Sequence, residues 1–88
     1  MILKDVLIFE IISELLIYMT IQAVLFDKNK WTRNQAKEWL KKHNYHSISN
    51  RTTQTFYRFR IIEPNYTKYI YRIQHNPHNI SFIMQYKK

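Results

Sequence analysis

Basic side chains alternate with aromatic and apolar ones in the second half of the chain. Residues 55–62 and 67–74 each alternate with a period of two, which is typical of half-buried β-strands. We predict that these two strands are neighbours and that their basic sides share one outward face. Arginine interleaved with aromatic residues on such a face can hold phosphates and stack bases. The predicted face carries Arg58, Arg60, Lys68 and Arg72, beside Phe56 and Ile70.

A second basic group lies on a predicted helix that follows Trp31. Thr32 and Gln35 have the spacing of a capping box, and Asn44 stands where helices often end in a left-handed residue. An inward stripe consists of Ala36, Trp39, Leu40 and His43. The outward stripe is either a solvated helix face or a second contact for an anionic ligand, and the sequence leaves both interpretations open. It carries Arg33, Lys37 and Lys41 at every fourth position, with Lys30 at the start of the helix.

The four histidines form two H-x-x-H pairs, His43 with His46 and His75 with His78. Paired ligands of this kind occur in metal sites. Sites built from histidine without cysteine are uncommon, however, and His43 also completes the inward stripe of the helix. We therefore predict no metal site and no cofactor.

Several kinds of catalytic chemistry lack the residues they need. The chain has no glycine, and both the Walker A loop and the dinucleotide-binding fingerprint need glycine where the backbone approaches phosphate. Glu38 and Glu63 are far apart in the sequence and suggest no carboxylate pair. No serine stands in a motif that would expose a nucleophile beside a base. We predict that the protein is not an enzyme.

The net charge of +8 is unevenly distributed. Residues 1–29 hold four acidic and two basic side chains, which gives −2, whereas residues 30–88 hold twelve basic and two acidic side chains, which gives +10. This asymmetry favours an anionic partner: nucleic acid, an anionic membrane surface or an acidic protein. The absence of cysteine excludes disulfides and fits a reducing compartment.

Residues 1–19 are predicted to form an extension with an amphipathic helix over about residues 4–18. Acidic residues interrupt this segment, and its longest uncharged run, residues 15–26, has 12 residues, short of the roughly 20 that span a bilayer. The predicted helix has more apolar surface than packing against one small sheet would bury. We predict either a symmetric homodimer through this surface or a helix that covers its own sheet. The predicted dimer interface consists of Leu3, Leu7, Ile8, Ile11, Ile12 and Leu15.

Together the elements predict an α+β fold, with two helices packed on a small, mainly antiparallel sheet of four to five strands. At 88 residues the chain has room for one domain, and we expect residues 20–88 to form its basic core. Within that core, residues 20–26 are apolar or β-branched and are predicted to form a strand buried on both faces.

Several residues of this core resemble a known domain. The pattern comprises Ala23, Val24, Leu25 and Phe26, then Lys30, Trp31 and Thr32, then Ala36, Trp39, Leu40 and His43, and finally Tyr57, Arg58, Phe59, Arg60 and Pro64. It resembles a small uncharacterised domain of tailed-phage capsid-maturation proteins and of large DNA viruses of eukaryotes. The resemblance implies a viral protein in the host cytoplasm, the viral factory or the virion, and it implies no activity. The chain departs from that domain at Asn44, where the domain usually has glycine.

The charge pattern and the resemblance lead to one functional prediction. We predict a non-enzymatic viral accessory protein that binds nucleic acid or anionic surfaces through the basic sheet face. The alternative is a virion or assembly protein whose basic face binds an acidic protein partner.

Overall fold

A computed structural model describes residues 19–88, which form a five-stranded sheet with one helix on one of its faces. The elements are β1 (Met19–Asp27), α1 (Arg33–Lys42), β2 (Ser49–Thr52), β3 (Phe56–Arg60), β4 (Tyr69–Asn76) and β5 (Ile80–Lys87), with a single 3-10 turn at Pro77–Asn79. The strand order is β2-β3-β1-β5-β4, and every neighbouring pair is antiparallel.

The prediction of an α+β fold with a sheet of four to five strands is confirmed. The described residues contain one helix and not the predicted two. The predicted N-terminal helix and the predicted dimer interface on it lie outside the described residues. Within residues 19–88 no helix is long and apolar enough to cross a membrane.

The central strand β1 is buried on both faces, as its apolar sequence predicts. Val24 and Phe26 point toward α1 and share a core cluster with the buried residues of that helix. Because side chains alternate along a strand, Ala23 and Leu25 lie on the opposite face, where they are also buried. The strands β3 and β5 pair with its two edges.

The helix α1 starts and stops where the local sequence predicts. The Thr32 side chain accepts a hydrogen bond from the backbone N of Gln35 (3.1 Å), and the Gln35 side chain accepts one from the backbone N of Thr32 (3.0 Å), which completes the capping box. Asn44 has a φ of 61°, the left-handed conformation predicted for the end of the helix.

Aromatic rings join the helix to the sheet. The ring of Phe26 is fully buried, and the rings of Trp31, Trp39 and Phe59 meet it edge-on at 5.1, 5.7 and 5.7 Å between centroids. Edge-to-face contacts at these distances are favourable beyond the area that they bury. Trp39 also packs on Phe82 of β5, at 6.3 Å.

A buried polar residue fastens the chain that leaves β3. The register between β1 and β5 shifts between Ile21 and Ala23, so Gln22 forms a bulge. Its side-chain Nε2 donates to the backbone carbonyl oxygen of Ile62 (2.8 Å). The backbone carbonyl oxygen of Gln22 accepts from the backbone N of Ile61 (2.8 Å). Gln22 is 1% exposed, and these bonds offset the cost of burying its amide.

We predict that Trp39→Ala lowers the free energy of unfolding by about 3 kcal/mol, the low end of the usual range for tryptophan because the ring is only half-buried. The measurement is a urea titration followed by circular dichroism. Asn34→Ala, an exposed position on the same helix, is the control and should shift stability by less than about 0.5 kcal/mol. An equal effect of the two substitutions would mean that the Trp39 ring does not hold the helix on the sheet.

Candidate functional site

Three arginines converge on the sheet face opposite to α1, at the hairpin of β2 and β3. Arg51 is directly opposite Arg58, and Ser49 is directly opposite Arg60. On the other side of β3, Arg58 is opposite Leu25 of β1. Because Leu25 points away from the helix, all these side chains share the face that α1 does not cover.

These arginines line a cleft of about 300 Å³, here called the arginine cleft. Its wall consists of Ser49, Asn50, Arg51, Arg58 and Arg60. Every ionisable side chain among these residues is cationic, and Ser49 adds a neutral hydroxyl, whereas the Asn50 side chain lies on the opposite face, where it accepts from Arg33. The cleft is therefore suited to an oxyanion that accepts several hydrogen bonds at once.

The positive charge of the arginine cleft is poorly compensated. Arg51 and Arg58 face each other across the ladder, and like charges in this position repel. Among the described residues the one ion pair at the cleft joins Arg60 Nη1 to Glu63 Oε2 at 3.6 Å, and Glu63 is 72% exposed, so solvent weakens it. Asp27 lies farther along the same face, but its Oδ1 accepts from the backbone N of Asn29 (2.9 Å) in its own turn. The cleft therefore keeps most of its charge for a ligand.

Arg58 also carries a donor that the described residues leave without an acceptor. Its Nε is buried and makes no hydrogen bond to any of them. A buried unpaired donor costs free energy, about 1–3 kcal/mol for a typical group.

A second basic cleft, here called the lysine cleft, lies between the end of α1 and strand β2. It has a volume of about 400 Å³ and is lined by Lys37, Leu40, Lys41, Tyr45, His46, Ser47 and Asn50. Both lysines are exposed. The predicted outward stripe of the helix therefore forms one wall of a concave surface and not only a solvated face.

Arg33, which the sequence groups with those lysines, is bound within the protein. Its Nη1 donates to Asn50 Oδ1 (3.0 Å), its Nη2 donates to Thr52 Oγ1, and its guanidinium lies 5.4 Å from the centre of the Tyr57 ring. These contacts join the start of α1 to strands β2 and β3. Arg33 acts as a brace in the fold, whereas the side chains of Lys37 and Lys41 are exposed and line the lysine cleft.

Lys30 stands apart from both basic clefts. Its backbone N donates to the carbonyl oxygen of Asp27 (3.0 Å) in the turn before the helix. Its side chain lines a shallow depression with Trp31, Gln35, Glu38, Trp39 and Lys42.

The prediction that Arg58, Arg60, Lys68 and Arg72 share one face of neighbouring strands is wrong. Strands β1 and β5 lie between β3 and β4. Arg72 is opposite Met84, which occupies the side of β5 that faces α1, so Arg72 and Arg58 are on opposite faces. Lys68 lies in the turn before β4.

The prediction fails because residues 61–68, which connect β3 to β4, change which side of the alternating pattern faces the helix. On β4 it is Tyr71 that points away from the helix, and its hydroxyl donates to Gln85 Oε1 (3.0 Å) and accepts from the backbone N of Asn65 (2.7 Å). These bonds favour the observed side of the strand over the alternation of residues 67–74, which predicts Tyr69, Tyr71 and Ile73 on the inward face.

Arg51 is the principal residue that the sequence interpretation missed. The sequence suggests a short edge strand over residues 45–50, which leaves Arg51 out, whereas β2 runs to Thr52, two residues farther. Only the register of β2 against β3 brings Arg51 beside Arg58, and this register is not visible in either segment alone.

The structure also places a serine beside a histidine, a pairing that the sequence did not suggest. Ser81 Oγ lies 2.9 Å from His75 Nδ1 across β5 and β4, and Asp27 lines the same cavity of about 220 Å³. Ser81 is only 6% exposed, and the Asp27 carboxylate is engaged in its turn. The arrangement is a hydrogen bond that satisfies a buried hydroxyl.

The other histidines take part in separate local contacts. His43 stacks on Trp39 with 3.9 Å between ring centroids, and its Nδ1 lies 2.8 Å from the carbonyl oxygen of the same residue. Within residues 19–88 no group of three or more histidine, cysteine, aspartate or glutamate side chains is arranged to hold a metal ion.

No protein-family model matches this chain, and neither does any curated protein or any solved structure. The resemblance to a viral domain stays a prediction.

We predict that Arg33→Lys lowers the free energy of unfolding by about 1 kcal/mol, because lysine keeps the charge but cannot donate to Asn50 and Thr52 from one planar group. Thermal unfolding measures the change. Lys37→Met, which removes a charge from the same helix, should have a smaller effect. If Arg33→Lys unfolds at the wild-type temperature, the brace contributes no stability.

Proposed function

We propose that this protein binds nucleic acid, without catalysis, through the arginine cleft and the sheet face around it. The observation that supports the proposal is the convergence of Arg51, Arg58 and Arg60 on two paired strands with one exposed carboxylate beside them. A polyanion would relieve the repulsion between these charges and supply acceptors for their donors.

The chemistry of the cleft favours phosphate. The planar guanidinium group matches phosphate oxygens in a bidentate geometry. Three guanidinium groups on adjacent strands can contact consecutive phosphates or one phosphate from several sides. The sequence adds a net charge of +8, which attracts nucleic acid over a distance. Phosphate contacts carry no base information, so we expect little sequence preference.

A second candidate partner is an acidic protein. Strand β2 is at the edge of the sheet, and all four of its residues are exposed. An edge strand can pair with an extended segment of another chain, and an acidic segment would also meet the arginines. In a viral setting, which the sequence resemblance suggests, a virion or assembly protein would use the surface in this way, and a nucleic-acid-binding accessory protein would act in the host cytoplasm or viral factory.

We predict that replacing Arg58 and Arg60 together with glutamine weakens nucleic-acid binding and lowers the slope of log affinity against log salt concentration by about 1.8 for a duplex or about 1.4 for a single strand, because fewer counterions are released when two phosphate contacts are lost. Fluorescence anisotropy of labelled DNA and RNA at several salt concentrations gives this slope. Circular dichroism confirms that the variant is folded.

The matched control removes the same number of positive charges elsewhere. Lys68→Gln with Arg72→Gln changes the turn and strand at the other edge of the sheet, on a surface that the arginine cleft does not include. It should leave the slope nearly unchanged. If both double variants lose the same affinity, binding depends on total charge and the arginine cleft is not the site. If the wild-type protein binds neither DNA nor RNA at low salt, the acidic-protein candidate takes precedence.

A further inference from the structure

The arginine cleft and the lysine cleft meet at one strand. Asn50 of β2 lines both. The arginine cleft opens on the sheet face opposite to α1, and the lysine cleft lies on the side of α1. The two basic surfaces are thus joined around the edge of the sheet.

We infer that the ligand is a single strand of nucleic acid that crosses β2 from one face of the sheet to the other, an inference that rests on the proposed function. The path over β2 is open, because all four residues of that strand are exposed and, among the described residues, it pairs with β3 alone. Cations lie at both ends of the path, with Arg51 and Arg58 on one side and Lys37 and Lys41 on the other.

The shape of this path selects a flexible ligand. Duplex DNA is stiff, with a persistence length of about 150 base pairs, so it cannot turn around the edge of one strand. A duplex bound at the arginine cleft would not reach the lysine cleft. A single strand bends at every nucleotide and can place phosphates in both clefts at once.

The lysine cleft also offers a ring for an unpaired base. Tyr45 lines the cleft, and its ring lies parallel to that of Trp39, with 5.9 Å between centroids and 4° between planes. This contact, together with packing against the core cluster, holds the tyrosine in place at the cleft. Base stacking on aromatic side chains, next to cations that follow the backbone, is the usual mode of binding single strands without sequence preference.

The two clefts are held at a fixed spacing. Arg33 joins the start of α1 to Asn50 and Thr52 of β2, so the helix that carries the lysines cannot move independently of the strand that the ligand crosses. A preformed path lowers the ordering cost of binding.

The test compares a 20-nucleotide oligothymidylate and a 20-base-pair duplex of mixed sequence, both labelled, by anisotropy over a series of sodium chloride concentrations. We expect the single strand to bind at least about tenfold more tightly than the duplex at low salt. Lys37→Gln with Lys41→Gln should reduce the salt slope for the single strand by about 1.4, at roughly 0.7 per phosphate contact, and should leave the slope for the duplex unchanged. Both lysines are exposed, so this variant keeps the fold.

Each outcome bears on a different part of the inference. If the lysine variant leaves the single-strand slope unchanged while the Arg58 and Arg60 variant reduces it, the arginine cleft binds alone and the path across β2 is wrong. Equal affinity for duplex and single strand also overturns the path and leaves the proposed function standing. Absence of binding to either ligand contradicts the proposed function itself. If Lys68→Gln with Arg72→Gln reduces the single-strand slope as much as the other double variants do, the effect is one of net charge. That result contradicts both the path across β2 and the proposed function of the arginine cleft.

Discussion

The arrangement of this protein depends on the burial of one phenylalanine, Phe26, at the end of the central strand. Three aromatic rings surround it: Trp31 just before the helix, Trp39 within the helix, and Phe59 on β3. The chain turns directly after it, where the carbonyl oxygen of Asp27 accepts from the backbone N of Trp31 (2.9 Å), so the helix must begin over the same sheet face. This constraint assigns one face of the sheet to the aromatic core. The hairpin of β2 and β3 can then place its arginines on the other face without disturbing that core.

Local signals predict much of this fold because they act within a few residues. The capping box at Thr32, the left-handed Asn44 and the doubly buried strand β1 all follow from short patterns and are present in the structure. Strand order and the facing of β4 depend on pairing between distant segments. Nothing in residues 67–74 shows that they pair with β5 and not with β3, and the hydrogen bonds of Tyr71 that fix their orientation involve Asn65 and Gln85.

The candidate site likewise combines features set by short sequence patterns with features set by pairing between distant segments. Arg58 and Arg60 are two residues apart on one strand, so their shared face follows from the period of a strand alone. Arg51 joins them only through the register of a hairpin, and Arg72 is excluded from them by the strand order and by its position on the opposite face of the sheet. Arg33 illustrates a further limit: its charge is visible in the sequence, but its engagement with Asn50, Thr52 and Tyr57 is not. A charge that is already bound within the fold contributes to net charge and to steering, and contributes little as a ligand contact.

The cost of the arginine pair is the strongest physical argument that this face has a partner. Opposed positions of a strand pair are stabilised by opposite charges and destabilised by like charges, so a glutamate in place of Arg51 would suit the isolated fold better. The buried Nε of Arg58 adds a second cost that the described residues do not offset. Sequences are generally consistent with their folds, and departures from that consistency concentrate where a protein binds or reacts. The repulsion between the opposed arginines is a departure that an anionic ligand would relieve, which favours a binding role for this surface over a merely solvated one.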